Sequence, residues 1–326
     1  MSRVLITGGA GMLGAALTRR LLADPAYDVR ISDERNAPQW MREACEIRSA
    51  DLRVAADAQA AVKGCSQVIH VATYRAQDAD GAARAHTQIE YENALHNAVI
   101  RASLDHDVQR FVYVSSPLVF ERAELFPTPE DYLPQCPVAL SPGGYSRLTG
   151  ERYCRAAHDE HGFPFTICRP FATYGPGSAA SEPGLGRAVL ELIHGALAGR
   201  RPLEVAAPSE QTMSPTHVDD AAGAIVAGLD SPAALNEDFN VSSARELSVA
   251  EIARVVWQAC GGDAGELELE LRAGGDRQPR RCWPATDKAR ELLGWQARID
   301  LEEGVAATVA ALREHAGASW HIGAVL

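Results

Sequence analysis

The sequence predicts an α/β protein, a doubly wound parallel sheet followed by a smaller lobe at its C-terminal end. Three observations carry that expectation. Short apolar runs alternate with helix-length amphipathic stretches from the first residues onward, the pattern of parallel strands joined by crossover helices. A glycine cluster, Thr7-Gly8-Gly9-Ala10-Gly11-Met12-Leu13-Gly14, falls where the first strand turns into the first helix. An acidic residue, Asp33, closes the second strand.

Strands are expected at residues 3–7, 28–33, 45–49, 67–71, 110–115 and 165–169, with the first helix over residues 12–23. Continuous apolar runs such as Phe111-Val112-Tyr113-Val114 suit strands covered on both faces. Right-handed crossovers then order them in one sheet. Between residues 121 and 144, Pro127, Pro129, Pro134, Pro137 and Pro142 interrupt regular structure, so an ordered loop leads into a helix over residues 145–161. Beyond Pro176 the pattern loosens, with helices near residues 186–198, 219–229, 249–260 and 301–313 and shorter strands between them.

With 326 residues, of which 46% are hydrophobic, the chain has material for a large core or two modest ones. A net charge of -12 argues against nucleic acid, whose binders need clustered Lys and Arg to displace counterions from phosphates. The apolar runs are strand-sized rather than membrane-sized, and Met1-Ser2-Arg3 leads straight into a strand without a signal peptide, which places the expected location in the cytoplasm. Seven scattered cysteines without a CxxC spacing are expected as thiols. His158 and His161 share a helix but have no third ligand at a matching spacing, so no metal is expected.

The glycine cluster becomes meaningful through its flanking elements. Gly8 permits a tight turn, Gly11 lets the backbone approach a pyrophosphate, and Gly14 lets helix pack on strand. Free N–H groups at the head of the helix then face the anion. The Asp33 carboxylate accepts hydrogen bonds from the adenosine ribose hydroxyls and repels a 2'-phosphate, so NAD is expected over NADP, with Arg35 as the one nearby group able to pair with such a phosphate. The domain division that follows is a dinucleotide-binding domain at residues 1–170, to which residues 214–241 return. A substrate lobe is built from residues 171–213 and 242–313, and a tail at residues 314–326 carries no interpretable signal.

Several further motifs follow in order: Ser49-Ala50-Asp51-Leu52, His70-Val71-Ala72, Phe111-Val112-Tyr113-Val114-Ser115-Ser116, Arg169-Pro170-Phe171, Tyr174-Gly175-Pro176-Gly177, His217-Val218-Asp219-Asp220 and Leu293-Gly294-Trp295. With these, the chain resembles the extended short-chain dehydrogenase/reductase family, in particular its NAD-dependent epimerases and dehydratases, from Arg3 to about Arg313. The resemblance implies a Rossmann-type sheet and NAD as cofactor. Gly8, Gly11, Met12, Leu13 and Gly14 would cradle the pyrophosphate, Asp33 the adenosine ribose, and Asp51 and Leu52 the adenine. Ala72 would lie along the pyrophosphate and nicotinamide ribose, and Pro170 against the nicotinamide. Ser116, at a strand end facing the cofactor, would hydrogen-bond the substrate hydroxyl.

The family motif P-Y-G-x-S-K-L-x-G-E aligns without a gap on Pro142-Gly143-Gly144-Tyr145-Ser146-Arg147-Leu148-Thr149-Gly150-Glu151. Its tyrosine, the proton acceptor, is therefore Gly143, and its lysine is Arg147. Arg147 can still hold ribose hydroxyls, but a guanidinium stays protonated and takes no part in a proton relay. Tyr145 lies roughly 200° around a helix from Gly143 and reaches the same place only if the first turn unwinds. Beginning the motif at Tyr145 puts Thr149 at the lysine position, so no register restores the pair. Glu121 is the nearest spare carboxylate. Ala172 and Met213 stand where relatives often carry an asparagine and an arginine for a sugar-nucleotide diphosphate, and Arg272 resembles a late phosphate-binding arginine shifted by one residue. Ser116-Pro117-Leu118 lacks the Asp-Glu pair of the sugar 4,6-dehydratases.

The expected activity is an NAD-dependent epimerase or oxidoreductase acting on a sugar-like small molecule, a nucleotide sugar or a natural product, with Ser116, Arg147 and either Tyr145 or Glu121 at the chemistry. Two alternatives remain: a catalytically silent NAD-binding protein of this fold that serves as a binder or regulator, and a non-redox isomerase or lyase. The resemblance also implies a homodimer through four helices, two per subunit at residues 79–105 and 145–161, with Ile89, Ala94 and Leu95 available for packing.

Overall fold

A computed structural model describes residues 2–74, 85–177, 186–206, 210–272 and 279–316. The first half alternates strictly: β1 (Ser2–Thr7), α1 (Met12–Leu22), β2 (Tyr27–Ser32), α2 (Gln39–Ala44), β3 (Glu46–Arg48), α3 (Ala55–Val62), β4 (Gln67–His70), α4 (Ala85–Asp105), β5 (Arg110–Val114), α5 (Pro142–His161) and β6 (Phe165–Pro170). Beyond lie β7 (Thr173–Tyr174), α6 (Arg187–Leu197), β8 (Leu203–Ala206), β9 (Thr212–Met213), β10 (Thr216–His217), α7 (Val218–Asp230) and β11 (Asp238–Val241). The chain ends with β12 (Leu247–Ser248), α8 (Val249–Ala259), β13 (Leu269–Arg272), β14 (Arg281–Cys282), α9 (Asp287–Leu293) and α10 (Leu301–Ala316).

Seven strands form one parallel sheet in the order β11-β6-β5-β4-β1-β2-β3. This is the doubly wound α/β architecture that the alternation predicts. Its two faces bury separate clusters. Val4, Ile6, Ile31, Ile69 and Val112 pack with α1 and α7 on one side, and Leu5, Val68, Phe111, Tyr113 and Ile167 pack with α3, α4 and α5 on the other. Strands covered on both faces have no solvent side, which is why they read as unbroken apolar runs. The strand order reverses between β1 and β4, and the crevice outside the C-terminal ends of those two strands is where such sheets take ligands.

A third core gathers Phe171, Tyr174, Val189, Ile193, Leu203, Met213, Ile252, Trp257 and Val305 from α6, α8, α10 and the short strands around them. This lobe carries a three-stranded sheet, β12-β9-β14, and two two-stranded pairs, β10-β7 and β13-β8. The segment from α7 to β11 packs back on the large sheet, with β11 paired to β6.

The helix expected from residue 145 begins three residues earlier, at Pro142. Ser141 accepts a hydrogen bond from the Gly144 N–H at 3.0 Å, and Pro142 occupies the first helical position, where its missing N–H costs nothing. Of the helix expected over residues 79–105, residues 79–84 lie outside the described residues, as do residues 317–326 of the tail.

Candidate active site

The β1–α1 turn is shaped by its glycines. Gly8 has φ +70, and a Cβ there would lie 2.8 Å from the Ala72 Cα; a Cβ on Gly14 would lie 2.4 Å from the Gly8 carbonyl oxygen. Neither position has room for a side chain. Gly11 precedes α1 and no side chain caps that helix, so the positive end of its dipole favours an anion there. Asp33 accepts from the Ala10 N–H at 2.9 Å and takes two bonds from the Arg35 guanidinium, at 2.9 and 2.8 Å. Burial alone would push the Asp33 carboxyl up, but the Arg35 bonds and charge and the backbone N–H groups outweigh it and hold the carboxyl below its usual range.

From this turn runs a cleft of about 730 Å³. Gly8, Gly11, Met12, Leu13, Gly14, Asp33, Leu52, Ala72, Ser116, Arg147 and Pro170 all line it. Asp51 does not: its carboxylate is held by Arg53 through bonds of 2.8 and 2.6 Å, and Arg53 is the cleft-lining member of that pair. A glycine turn with no space for a Cβ, an uncapped helix head and a carboxylate at the end of β2 together fit an adenine dinucleotide, with Ser116 and Arg147 at the far end from Asp33.

At that end Ser116 is half-buried. Its oxygen accepts from the Leu118 N–H at 3.2 Å, which leaves the hydroxyl proton to donate. Ser115 donates to Glu151 at 2.6 Å, and Glu151 pairs with the fully buried Arg169. Arg147 is buried and donates to the Val114 carbonyl at 2.8 Å, which fixes the guanidinium beside the end of β5.

Neither expected proton acceptor reaches the cleft. Because α5 is wound from Pro142 onward, Tyr145 points outward and is 45% exposed. The Glu121 carboxylate is spent on the start of α5, accepting from the Leu140 and Ser141 N–H groups and the Ser141 hydroxyl. Gly143 does line the cleft, and a Cβ there would meet Gln88 Nε2 at 3.3 Å and Leu118 Cδ1 at 3.4 Å.

The expected diphosphate positions are likewise changed. Met213 is in the lobe core, and Arg272 pairs with Glu204 across β13 and β8. Ala172 lines the cleft with φ +39, a left-handed conformation more often taken by Asn or Gly. His158 faces the Phe163 carbonyl, the seven cysteines are free thiols, and no cluster of metal-ligating side chains occurs among the described residues. No helix among them is long and apolar enough to cross a membrane.

Sequence reasoning missed the α4 side of the cleft: Gln88, Tyr91 and Glu92. Glu92 is 1% exposed, and its Oε1 accepts from Thr73 Oγ1 at 2.7 Å and the Tyr74 N–H at 3.2 Å. The signal was present in the pattern, since Glu92 and His96 interrupt the apolar stripe of Leu95, Val99 and Ile100 on the buried side of α4.

The model of the NAD dependent epimerase/dehydratase family matches residues 4–242. Among curated relatives, a Bacillus subtilis protein described as an uncharacterized UDP-glucose epimerase, YtcB, is 24% identical over 95% of this chain and 98% of its own. UDP-glucuronic acid decarboxylase 1 of Xenopus tropicalis is 28% identical over 94% of this chain and 71% of its own. Among solved structures, UDP-glucose 4-epimerase of Thermus thermophilus in complex with NAD superposes with a TM-score of 0.84 at 21% identity, covering 97% of this chain and 100% of that one.

Proposed function

Since the chain belongs to the NAD dependent epimerase/dehydratase family, we propose that it oxidises a carbinol of a sugar, carried as a nucleotide sugar or a natural product, as the opening step of an epimerisation or related change. The observation that carries this is continuity: the dinucleotide turn and the Ser116–Arg147 pair line one cleft. NAD, when bound, supplies the hydride acceptor. Ser116 donates its free hydroxyl proton to the substrate oxygen and orients it, and Arg147 holds hydroxyl groups of the ribose with the N–H donors not used on Val114. Relatives named for UDP-glucose and UDP-glucuronic acid support a UDP-sugar substrate, reached through contacts other than Met213 and Arg272. The exposed Tyr145 and Tyr153 of α5 and the exposed Ala94 of α4 support a homodimer through these two helices. Cytoplasmic location belongs to the same proposal.

The test is NMR of UDP-glucose, UDP-N-acetylglucosamine and UDP-glucuronic acid incubated with the NAD-loaded protein. A new epimer, an oxidised sugar or a decarboxylated sugar is expected from at least one. Silence from all three contradicts the proposal.

A second function is favoured by a specific observation, the absence of both a residue-143 side chain and the Tyr145 phenol from the cleft. On it, the protein binds NAD as a structural or sensed ligand, and calorimetry finds tight coenzyme binding with every sugar left unchanged.

A further inference from the structure

Where the family motif places its phenol, this chain has Gly143. A side chain there would begin between two neighbours, Gln88 Nε2 at 3.3 Å and Leu118 Cδ1 at 3.4 Å, and all three residues line the cleft. The geometry points to Gln88 as a sugar-binding residue. Its carboxamide hydrogen-bonds the oxygen substituents of the substrate at the Ser116 end, in the space that a residue-143 side chain would otherwise enter. The inference rests on the UDP-sugar substrate proposed above and assigns a residue outside the family motif.

Helix geometry aims Gln88 at this place. Gln88, Tyr91, Glu92 and Leu95 fall at i, i+3, i+4 and i+7, so they form one stripe of α4, and all four line the cleft. The stripe serves both ends of it. Tyr91 donates to Glu34 at 2.8 Å, next to Asp33, whereas Gln88, a turn nearer the start of α4, meets Gly143 on α5. The second neighbour of that point, Leu118, donates its N–H to Ser116 Oγ at 3.2 Å. Gln88 is thereby brought to the end of the cleft where the Ser116 hydroxyl lies.

Its chemistry is free for a ligand. Tyr91 is engaged with Glu34, and Glu92 Oε1 with Thr73 and Tyr74. The Gln88 carboxamide has no hydrogen-bond partner among the described residues, and Gln88 is half-buried with neither polar atom sealed from solvent. Two donor hydrogens and an acceptor oxygen suit sugar hydroxyls, which both donate and accept. Small-molecule pockets fix orientation with a few such groups on a largely apolar wall, and Pro117, Leu118 and Pro170 supply that wall here. An amide takes up no proton at neutral pH, so Gln88 binds and orients the sugar rather than deprotonating it.

Gln88→Met keeps the length and helix preference of the side chain and removes its hydrogen-bonding groups. Calorimetry on the NAD-loaded variant uses UDP alone and the one of UDP-glucose, UDP-N-acetylglucosamine and UDP-glucuronic acid that the wild type binds most tightly. The UDP-sugar Kd is expected to rise at least about five-fold, with the Kd values of UDP and of NAD within about three-fold of wild type. A smaller rise in the UDP-sugar Kd overturns the assignment. An equal rise for UDP places Gln88 on the nucleotide and overturns it as well, and a rise in NAD Kd beyond about three-fold makes Gln88 a coenzyme ligand with the same consequence. Each of these results leaves the oxidation of a sugar standing. A wild type that binds none of the three sugars overturns the function and this inference together. Should Gln88→Met melt too low to titrate, Gln88→Ala, which cannot crowd the cleft, carries the same expectations and the same refutations.

Discussion

We propose that one carboxylate sets which coenzyme enters. Asp33 faces the cleft at the end of β2, and the Arg35 guanidinium is folded onto it. So long as the pair is intact, the arginine is engaged and the carboxylate repels a 2'-phosphate. Asp33→Asn releases Arg35 toward the phosphate, so the preference for NAD over NADP is expected to shrink by at least about ten-fold, or about 1.4 kcal/mol, mainly through tighter NADP binding. Adding Arg35→Ala should abolish the gain. Calorimetry with both coenzymes checks this, and an unchanged ratio in Asp33→Asn refutes it. Residues of this kind were legible in the sequence because local backbone demands them: Gly8 and Gly14 have no space for a Cβ, and Asp33 terminates a strand next to them. Glu92 was missed although it interrupts the apolar stripe of α4, because what that buried side of the helix packs against is a helix fifty residues later in the chain. Glu121 and Tyr145 were misplaced for a shared reason, the unrecognised Ser141-Pro142 start of α5, which consumes the first and turns the second outward.

Among the elements, α4 and β4 carry a chain of buried polar groups under the cleft. Thr7 Oγ1 lies 2.7 Å from His70 Nδ1, and His70 Nε2 lies 2.9 Å from His96 Nδ1, which leads to Tyr113. Burial, with the nearby Arg147 charge as a lesser cause, pushes the His70 pKa down to about 3; burial likewise drives His96 well below its ordinary value, reinforced by His70 and Arg147. Both rings are therefore neutral in the folded protein and take up protons on unfolding below about pH 6.5. The unfolded chain binds more protons there, so this contribution to stability is complete above pH 6.5 and is lost as pH falls toward 3. Between pH 7 and pH 5 the loss from His70 is about 2 kcal/mol, and His96 adds to it in the same direction. Urea unfolding at the two pH values measures it, and His70→Asn should reduce the pH slope. A stability independent of pH over that range contradicts the buried neutral pair. The sequence placed His70 correctly at the end of a strand but gave no sign of its partner, since a hydrogen bond between β4 and α4 is set by packing rather than by periodicity.

At the scale of the molecule, six of the seven strands of the sheet were legible because the central ones are covered on both faces and are joined by helices, whereas β11 at the edge was not expected as a strand. The lobe was only outlined. Its strands β7, β9, β10, β12 and β14 have two residues each, too short to show alternation, and their pairings join distant parts of the chain. What unites sheet and lobe is the cleft that begins at the head of α1 and ends at Ser116 and Arg147. Titration calorimetry with NAD tests this most directly, using the wild type and Gly11→Val, where the nearest neighbours of a Cβ are the end of the Arg35 side chain at 3.0 Å and the Gly8 carbonyl oxygen at 3.4 Å, on the side where the anion is expected. The account predicts one NAD per chain, bound more tightly than about 100 μM, and at least about ten-fold weaker binding in the variant. No binding to the wild type at about 1 mM, or equal binding by both proteins, would contradict it.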